Sequence, residues 1–183
     1  METITNAEVV FSGATLVGKK VEKLTRTIGD LKGLFADKKS FEECDPKQIV
    51  YEVETYSPVA EGTEGGLFFG ITKLQPGAIG DEYMMTKGHS HIIGNRAEFY
   101  WCIEGEGMLL FMDKDRNMRA EKMFPGSLHY ISGFTAHRVA NTGTSVLSFG
   151  ACWPSDAGHN YELIEKNGFS KRLMKIDGKP KLV

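Results

Sequence analysis

Short apolar runs separated by polar or glycine-bearing breaks fill the chain from Ile49 to Trp153. Ile49–Tyr56 (IVYEVETY) and Leu67–Leu74 (LFFGITKL) are β-branched and aromatic with partial alternation, the pattern of a half-buried strand. Further strands are predicted over 81–91, 98–103, 108–112, 119–123, 128–131, 137–141 and 145–153. The breaks between them carry turn chemistry, as in Pro76-Gly77, Pro125-Gly126, Ser132-Gly133 and Asn141-Thr142-Gly143. Many short strands at close spacing predict an all-β antiparallel sandwich or barrel.

The flanks read differently. Two extended runs, 8–11 and 14–17, meet at Ser12-Gly13 and predict a short N-terminal hairpin or strand extension. Residues 21–48 are mostly polar and read as cover for the barrel, with minor helical turns over 31–35 and 39–44. A weak helical pattern occupies 160–165. No internal repeat, low-complexity stretch or linker divides the chain, so residues 1–183 read as one domain with a barrel core at 49–153.

Composition removes several function classes. Hydrophobic content of 41% over 183 residues suffices for a sizeable core. A net charge of -2 gives no basic field for nucleic acid. No apolar run reaches the roughly 20 residues that span a bilayer. No signal peptide is visible at the N-terminus, and a cytoplasmic location is expected. Cys44, Cys102 and Cys152 are odd in number and widely spaced, so they are expected as free thiols.

The chemistry concentrates in TKGHSHIIGNRAEFYW, residues 86–101. On a strand, residues i and i+2 share a face, so His89 and His91 project together. The turn through Gly94 and Asn95 brings Glu98 back towards them, and His137 arrives from a distant strand. Three imidazoles and a carboxylate suit a divalent iron, manganese, nickel, cobalt or zinc ion. Four protein ligands leave open positions on a six-coordinate ion. Tyr100 shares the Glu98 face, Lys87 alternates away towards the surface or rim, and His129 reads as structural.

This pattern resembles the cupins, whose first motif pairs HxH with a glutamate and a glycine, here His89, His91, Glu98 and Gly105. Gly126, His137 and Asn141 resemble the second motif, with Ser132 where a proline is usual. The six-residue spacer between His91 and Glu98, with TKGHxH before it and RAExY after it, is similar to the cupin-type glucose-6-phosphate isomerases. Tyr51-Glu52-Val53, the LxPG turn at 74–77, PSDAGHNY at 154–161 and GFSK at 168–171 also resemble that family. The resemblance implies a jelly-roll cupin barrel that interconverts glucose 6-phosphate and fructose 6-phosphate, through an enediol or a metal-directed hydride shift. It implies one divalent metal per subunit, iron first, on His89, His91, Glu98 and His137. It places Glu98 as the base and His159 as a second proton-handling residue. Thr72, Thr86, Gly88 and Trp153 match phosphate-contacting positions. Trp153 stands where the family has a tyrosine, which exchanges a hydroxyl for a donor-only indole. Tyr51, Tyr100 and Tyr161 complete the substrate-binding set. The family also implies a homodimer, for which exposed strands such as Val9–Phe11 and the aromatic clusters at 68–69 and 99–101 are suited.

Two other readings fit parts of the pattern. The ligand set alone serves another metal cupin enzyme, a dioxygenase or a sugar-phosphate epimerase. TKG before the histidines and DAGH after the barrel favour the isomerase instead. A non-catalytic sugar-binding cupin has no need of a full ligand set.

Overall fold

Glycine and proline turns cut the chain into strands too short to stand alone, which bury their apolar faces only by pairing. The computed structural model describes residues 3–183. Strands β1 (Val9–Phe11) and β2 (Leu16–Gly18) form the N-terminal hairpin, followed by β3 (Val21–Thr27) and helix α1 (Lys38–Glu42). Then come β4 (Ile49–Tyr56), β5 (Leu67–Leu74), β6 (Ala78–Ile79), β7 (Glu82–Tyr83) and β8 (Ser90–His91). The barrel continues with β9 (Glu98–Glu104), β10 (Gly107–Met112), β11 (Met118–Met123), β12 (Leu128–Ile131), β13 (Ala136–Asn141) and β14 (Leu147–Pro154). The C-terminal part holds β15 (His159–Asn160), α2 (Glu162–Asn167), β16 (Leu173–Ile176) and β17 (Lys179–Leu182).

The largest sheet runs β12-β9-β14-β5-β4-β3, and a second runs β11-β10-β13. A small sheet, β17-β16-β7-β6, closes one end, and all the pairings are antiparallel. The all-β antiparallel architecture is the one expected of a cupin. Val50, Ile71, Leu74, Leu109, Val139 and Leu147 are fully buried and fill the interior away from the cavity described below. No described helix is long and apolar enough to cross a membrane.

Three parts depart from the expectation. The polar stretch 21–48 contains β3, an edge strand paired along its length with β4. Lys23 faces outward, its Nζ 2.9 Å from Oε1 of its cross-strand partner Glu54. A charged edge is how a sheet avoids pairing with another chain, and it hid the strand from a hydrophobic pattern. The single strand predicted over 81–91 is broken. Only β7 and β8 are regular, and Met85 and His89 make isolated bridges to Ala140 and His137 of β13. Gly88 at φ +78° interrupts the pleat. The β16–β17 hairpin was not anticipated, although Asp177-Gly178, both at positive φ, is a type I′ turn signal. Arg172 anchors it, donating from Nη1 to both oxygens of buried Glu82 at 2.8 and 2.9 Å. Glu82 also accepts from Ala36 N at 3.0 Å.

Asn141 ties the barrel's interior turn together. Its Nδ2 donates to Leu74 O and Ser145 O at 2.9 Å each, and its Oδ1 accepts from Gly143 N at 2.9 Å. Asn141→Ala strands these backbone groups in a fully buried place. We expect a loss of about 2–4 kcal/mol, read from urea unfolding midpoints at unchanged slope. A loss below about 1 kcal/mol would show that water replaces the amide.

Candidate metal centre and substrate cavity

Strand β13 supplies His137, the bridge beside it supplies His89, the start of β9 supplies Glu98, and β8 supplies His91. Their side chains converge. Glu98 Oε1 lies 2.7 Å from His137 Nε2, 3.1 Å from His91 Nε2 and 3.9 Å from His89 Nε2. Despite this closeness, Glu98 Oε1, His91 Nε2 and His89 Nε2 are buried without a directional hydrogen bond. Donor atoms that crowd together yet do not point at one another are aimed at a shared point between them. That is the fit of a cation site, and three nitrogens with one oxygen suit a borderline divalent ion. His89, Glu98 and His137 offer atoms all within 4.8 Å of one another. His91 stands slightly apart, its ring 5.7 Å from that of His89 and 5.9 Å from that of His137, and reaches the group through Glu98.

The far nitrogens are held by the backbone. His91 Nδ1 lies 2.8 Å from Arg96 O, and His137 Nδ1 lies 3.3 Å from Thr135 O. A carbonyl at Nδ1 fixes the proton there and leaves Nε2 as the free lone pair. Arg96 is itself clamped by a bidentate pair to Asp156, at 2.9 and 2.6 Å. The 132–135 turn that carries Thr135 packs closely on Asn95: a Cβ on Gly133 would lie 2.8 Å from the Asn95 backbone. Only glycine allows that approach.

The electrostatics follow from burial. Burial, with His137 and His159 nearby, holds His89 well below the ordinary imidazole range and favours its neutral form. Burial pushes Glu98 up, but the surrounding His137, His91 and His89 outweigh it and keep the carboxylate ionised. For His91, contact with Glu98 outweighs burial and raises it.

Beside the cluster lies a cavity of about 230 Å³. Cross-strand register builds its walls: Leu24, Val53, Thr72 and Phe149 form one row, and Thr55, Gly70, Ala151 and Tyr100 the next. Every predicted site residue except His91 lines it: Tyr51, Thr72, Thr86, Gly88, His89, Glu98, Tyr100, His137, Trp153, His159 and Tyr161. The Tyr100 hydroxyl lies 3.4 Å from His137 Nε2, and burial raises its pKa well above the ordinary phenol value. His159 pairs with His91 across β15 and β8, and its ring stands 4.3 Å from that of His89. Thr86 Oγ1 accepts from Val139 N at 3.1 Å, which leaves its hydroxyl proton for another acceptor. Lys87 O accepts from Arg138 Nη2 at 2.7 Å, and the planar peptide therefore turns the Gly88 N–H away from Arg138. Trp153 forms a wall, its ring 6.0 Å from Phe68 and 6.1 Å from His159.

Two cationic residues of the wall were missed. Arg26 lies on the unrecognised β3, and Lys87 lines the cavity although its alternation pointed away from it. The positive φ of Gly88 resets that alternation. His129 takes no part, being held between Ser127 Oγ at 2.9 Å and Glu121 Oε2 at 2.8 Å. Cys44, Cys102 and Cys152 are free and lie outside the ligand group.

A family model described as glucose-6-phosphate isomerase matches residues 25–181. The glucose-6-phosphate isomerase of Pyrococcus abyssi is 40% identical over 178 residues, 96% of this chain and 92% of that protein. That of Thermococcus onnurineus is 41% identical over 165 residues, 88% of this chain and 85% of the relative. A putative glucose-6-phosphate isomerase 2 of Rhizobium meliloti is 33% identical, over 85% of this chain and 78% of its own length. Among solved structures, a mutant oxalate decarboxylase of Bacillus subtilis is 20% identical with a TM-score of 0.49, over 64% of this chain and 29% of that one. Matched along nearly its whole length by these isomerases, the chain belongs to the glucose-6-phosphate isomerase family.

Proposed function

We propose that this chain carries out its family's reaction, the reversible isomerisation of glucose 6-phosphate and fructose 6-phosphate, with one divalent ion held by His89, His91, Glu98 and His137. The carrying observation is the convergence of orphaned buried donor atoms at one edge of a sugar-sized cavity. A bound ion supplies Lewis-acid polarisation of the sugar's oxygens. Iron is our first assignment, with manganese, nickel, cobalt and zinc compatible with the same donors.

The chain's own groups divide the remaining work. Glu98 is the carboxylate facing both the ligand group and the cavity, and it moves the proton between C1 and C2 through an enediol. Tyr100 is a neutral donor to the reacting oxygens. His159 and Tyr161, at the cavity mouth, handle the hydroxyl protons of ring opening. Thr72, Thr86 and the Gly88 amide hold the phosphate, with the Trp153 indole closing that wall. Tyr51 lies between the phosphate corner and the strands behind it; its hydroxyl accepts from Lys87 N at 3.4 Å.

We further infer a one-domain cytoplasmic homodimer. The outer face of the large sheet supports the dimer: Phe99 and Tyr130 are cross-strand partners with rings 5.3 Å apart, and both are about half exposed. Trp101, Phe69 and Phe11 extend the same surface, and exposed Leu128 borders it. A contiguous apolar face of this kind is normally covered. Tyr130→Glu is expected to shift the sedimentation coefficient from dimer to monomer, and an unchanged dimer places the interface elsewhere.

The reaction and its metal are tested together. Protein stripped by chelator is expected to lose fructose 6-phosphate isomerisation and recover it on reloading with single divalent metals. Stoichiometric metal binding without turnover for every metal tried would overturn the isomerase. Glu98→Gln keeps an oxygen ligand but removes the base, so we expect a rate loss of about 10²–10⁴ with metal content retained. His137→Ala is expected to lose metal and activity together. A Glu98→Gln rate within about threefold of the parent removes the base role and leaves the hydride shift.

A further inference from the structure

Arg26 and Lys87 are the cationic side chains that line the cavity. Lys87 is already engaged: its Nζ lies 2.5 Å from Glu165 Oε1 and 5.0 Å from the centre of the Tyr161 ring. Arg26 has no ion-pair partner within 4.0 Å among the described residues. The nearby carboxylate, Asp30, is occupied by Thr27, accepting from its N at 2.8 Å and from its Oγ1 at 3.0 Å.

Register places Arg26 at the phosphate corner. It lies opposite Tyr51, whose hydroxyl accepts from Lys87 N, one residue from Gly88. Arg26 shares the inward face of β3 with Leu24, which continues the row through Val53 to Thr72. The corner is therefore bounded by Thr72, Thr86, the Gly88 amide and Arg26. The first three are neutral donors, whereas a phosphate monoester carries about -1.5 to -2 charges at pH 7. Taking such a group into a half-enclosed cavity with neutral donors alone leaves its charge uncompensated. A guanidinium offers two parallel N–H donors matched to phosphate oxygens.

We propose that Arg26 is the charge partner of the substrate phosphate and the residue that selects phosphorylated over unphosphorylated hexose. This rests on the phosphate site proposed above at Thr72, Thr86 and Gly88. Arg26 stands outside the group around Glu98, so it acts on binding and leaves the proton transfer alone. The contact is equally present for both sugar phosphates, which makes it uniform binding, seen in KM more than in kcat.

The test compares metal-loaded parent protein with Arg26→Gln, Arg26→Lys and Thr72→Val, measuring KM and kcat for fructose 6-phosphate and the Kd of inorganic phosphate by calorimetry. Melting temperature and metal content are followed in parallel. Arg26→Gln is expected to raise both KM and the phosphate Kd by about tenfold to a hundredfold, with kcat within about threefold. Arg26→Lys is expected to recover part of the loss, which a merely structural residue would not do. If Thr72→Val weakens phosphate binding and Arg26→Gln does not, the phosphate corner stands and the role of Arg26 falls. If neither substitution changes the phosphate Kd, both the corner and Arg26's role fall, while the isomerase reading is judged separately by turnover of the parent.

Discussion

A carboxylate that is 3% exposed must be compensated from within, and much of this fold is arranged around that requirement at Glu98. The compensation is three imidazoles brought from two separate segments, His89 and His91 from one and His137 from β13. None makes a well-directed hydrogen bond to Glu98 Oε1, so the group is not a self-contained hydrogen-bonded network. It holds together because backbone carbonyls grip the outer nitrogens of His91 and His137 and leave the inner ones no choice of direction. The loops that supply those carbonyls are fixed in turn, one by the Arg96–Asp156 pair and the other by close packing on Asn95. The ligand geometry is thus set by residues that never touch the ligand point.

The barrel makes the cavity by the same alternation that makes its core. Along the strands of the large sheet, large apolar side chains such as Leu24, Val53 and Phe149 alternate at the cavity with small or polar ones. Gly70 and Ala151 sit in the same row as Thr55 and Tyr100, and their missing bulk is part of the open volume. Trp153 then lies across Gly70, whose Cβ would stand 3.0 Å from the indole. The indole therefore acts first as a wall, and the hydroxyl that a tyrosine would bring to this position is absent from the chemistry.

The convergence of the histidines on Glu98 was legible because it is coded by identity and spacing: HxH, a glutamate after a glycine turn, a distant histidine. These survive errors in secondary structure. The strand predicted over 81–91 is largely irregular, yet His89 and His91 still meet Glu98, because bridges to β13 replace the regular pleat. What stayed hidden was coded by context. VEKLTRT carries charges on its exposed edge and so shows no apolar alternation, although Leu24 and Arg26 alternate inward. Asp156 stands in the sequence only as part of PSDAGHNY, and its pairing with Arg96, sixty residues away, shows only in the fold. Lys87 was assigned a face by counting in twos across Gly88, and a left-handed residue breaks that count.

The cavity's two ends differ in kind, and the difference suits an isomerase. At one end, three imidazoles, a buried carboxylate and a phenol crowd together, the groups assigned above to the proton transfer. At the proposed phosphate corner, hydroxyls, an amide and a guanidinium with no ion-pair partner among the described residues supply donors suited to an anion. His159 stands near the first end on a strand paired directly to the one that carries His91. Any shift of that short two-stranded unit moves the His159 and His91 rings together. In the proposed reaction, the ring-opening group at His159 and the ligand group at His91 are thereby coupled through one backbone pairing.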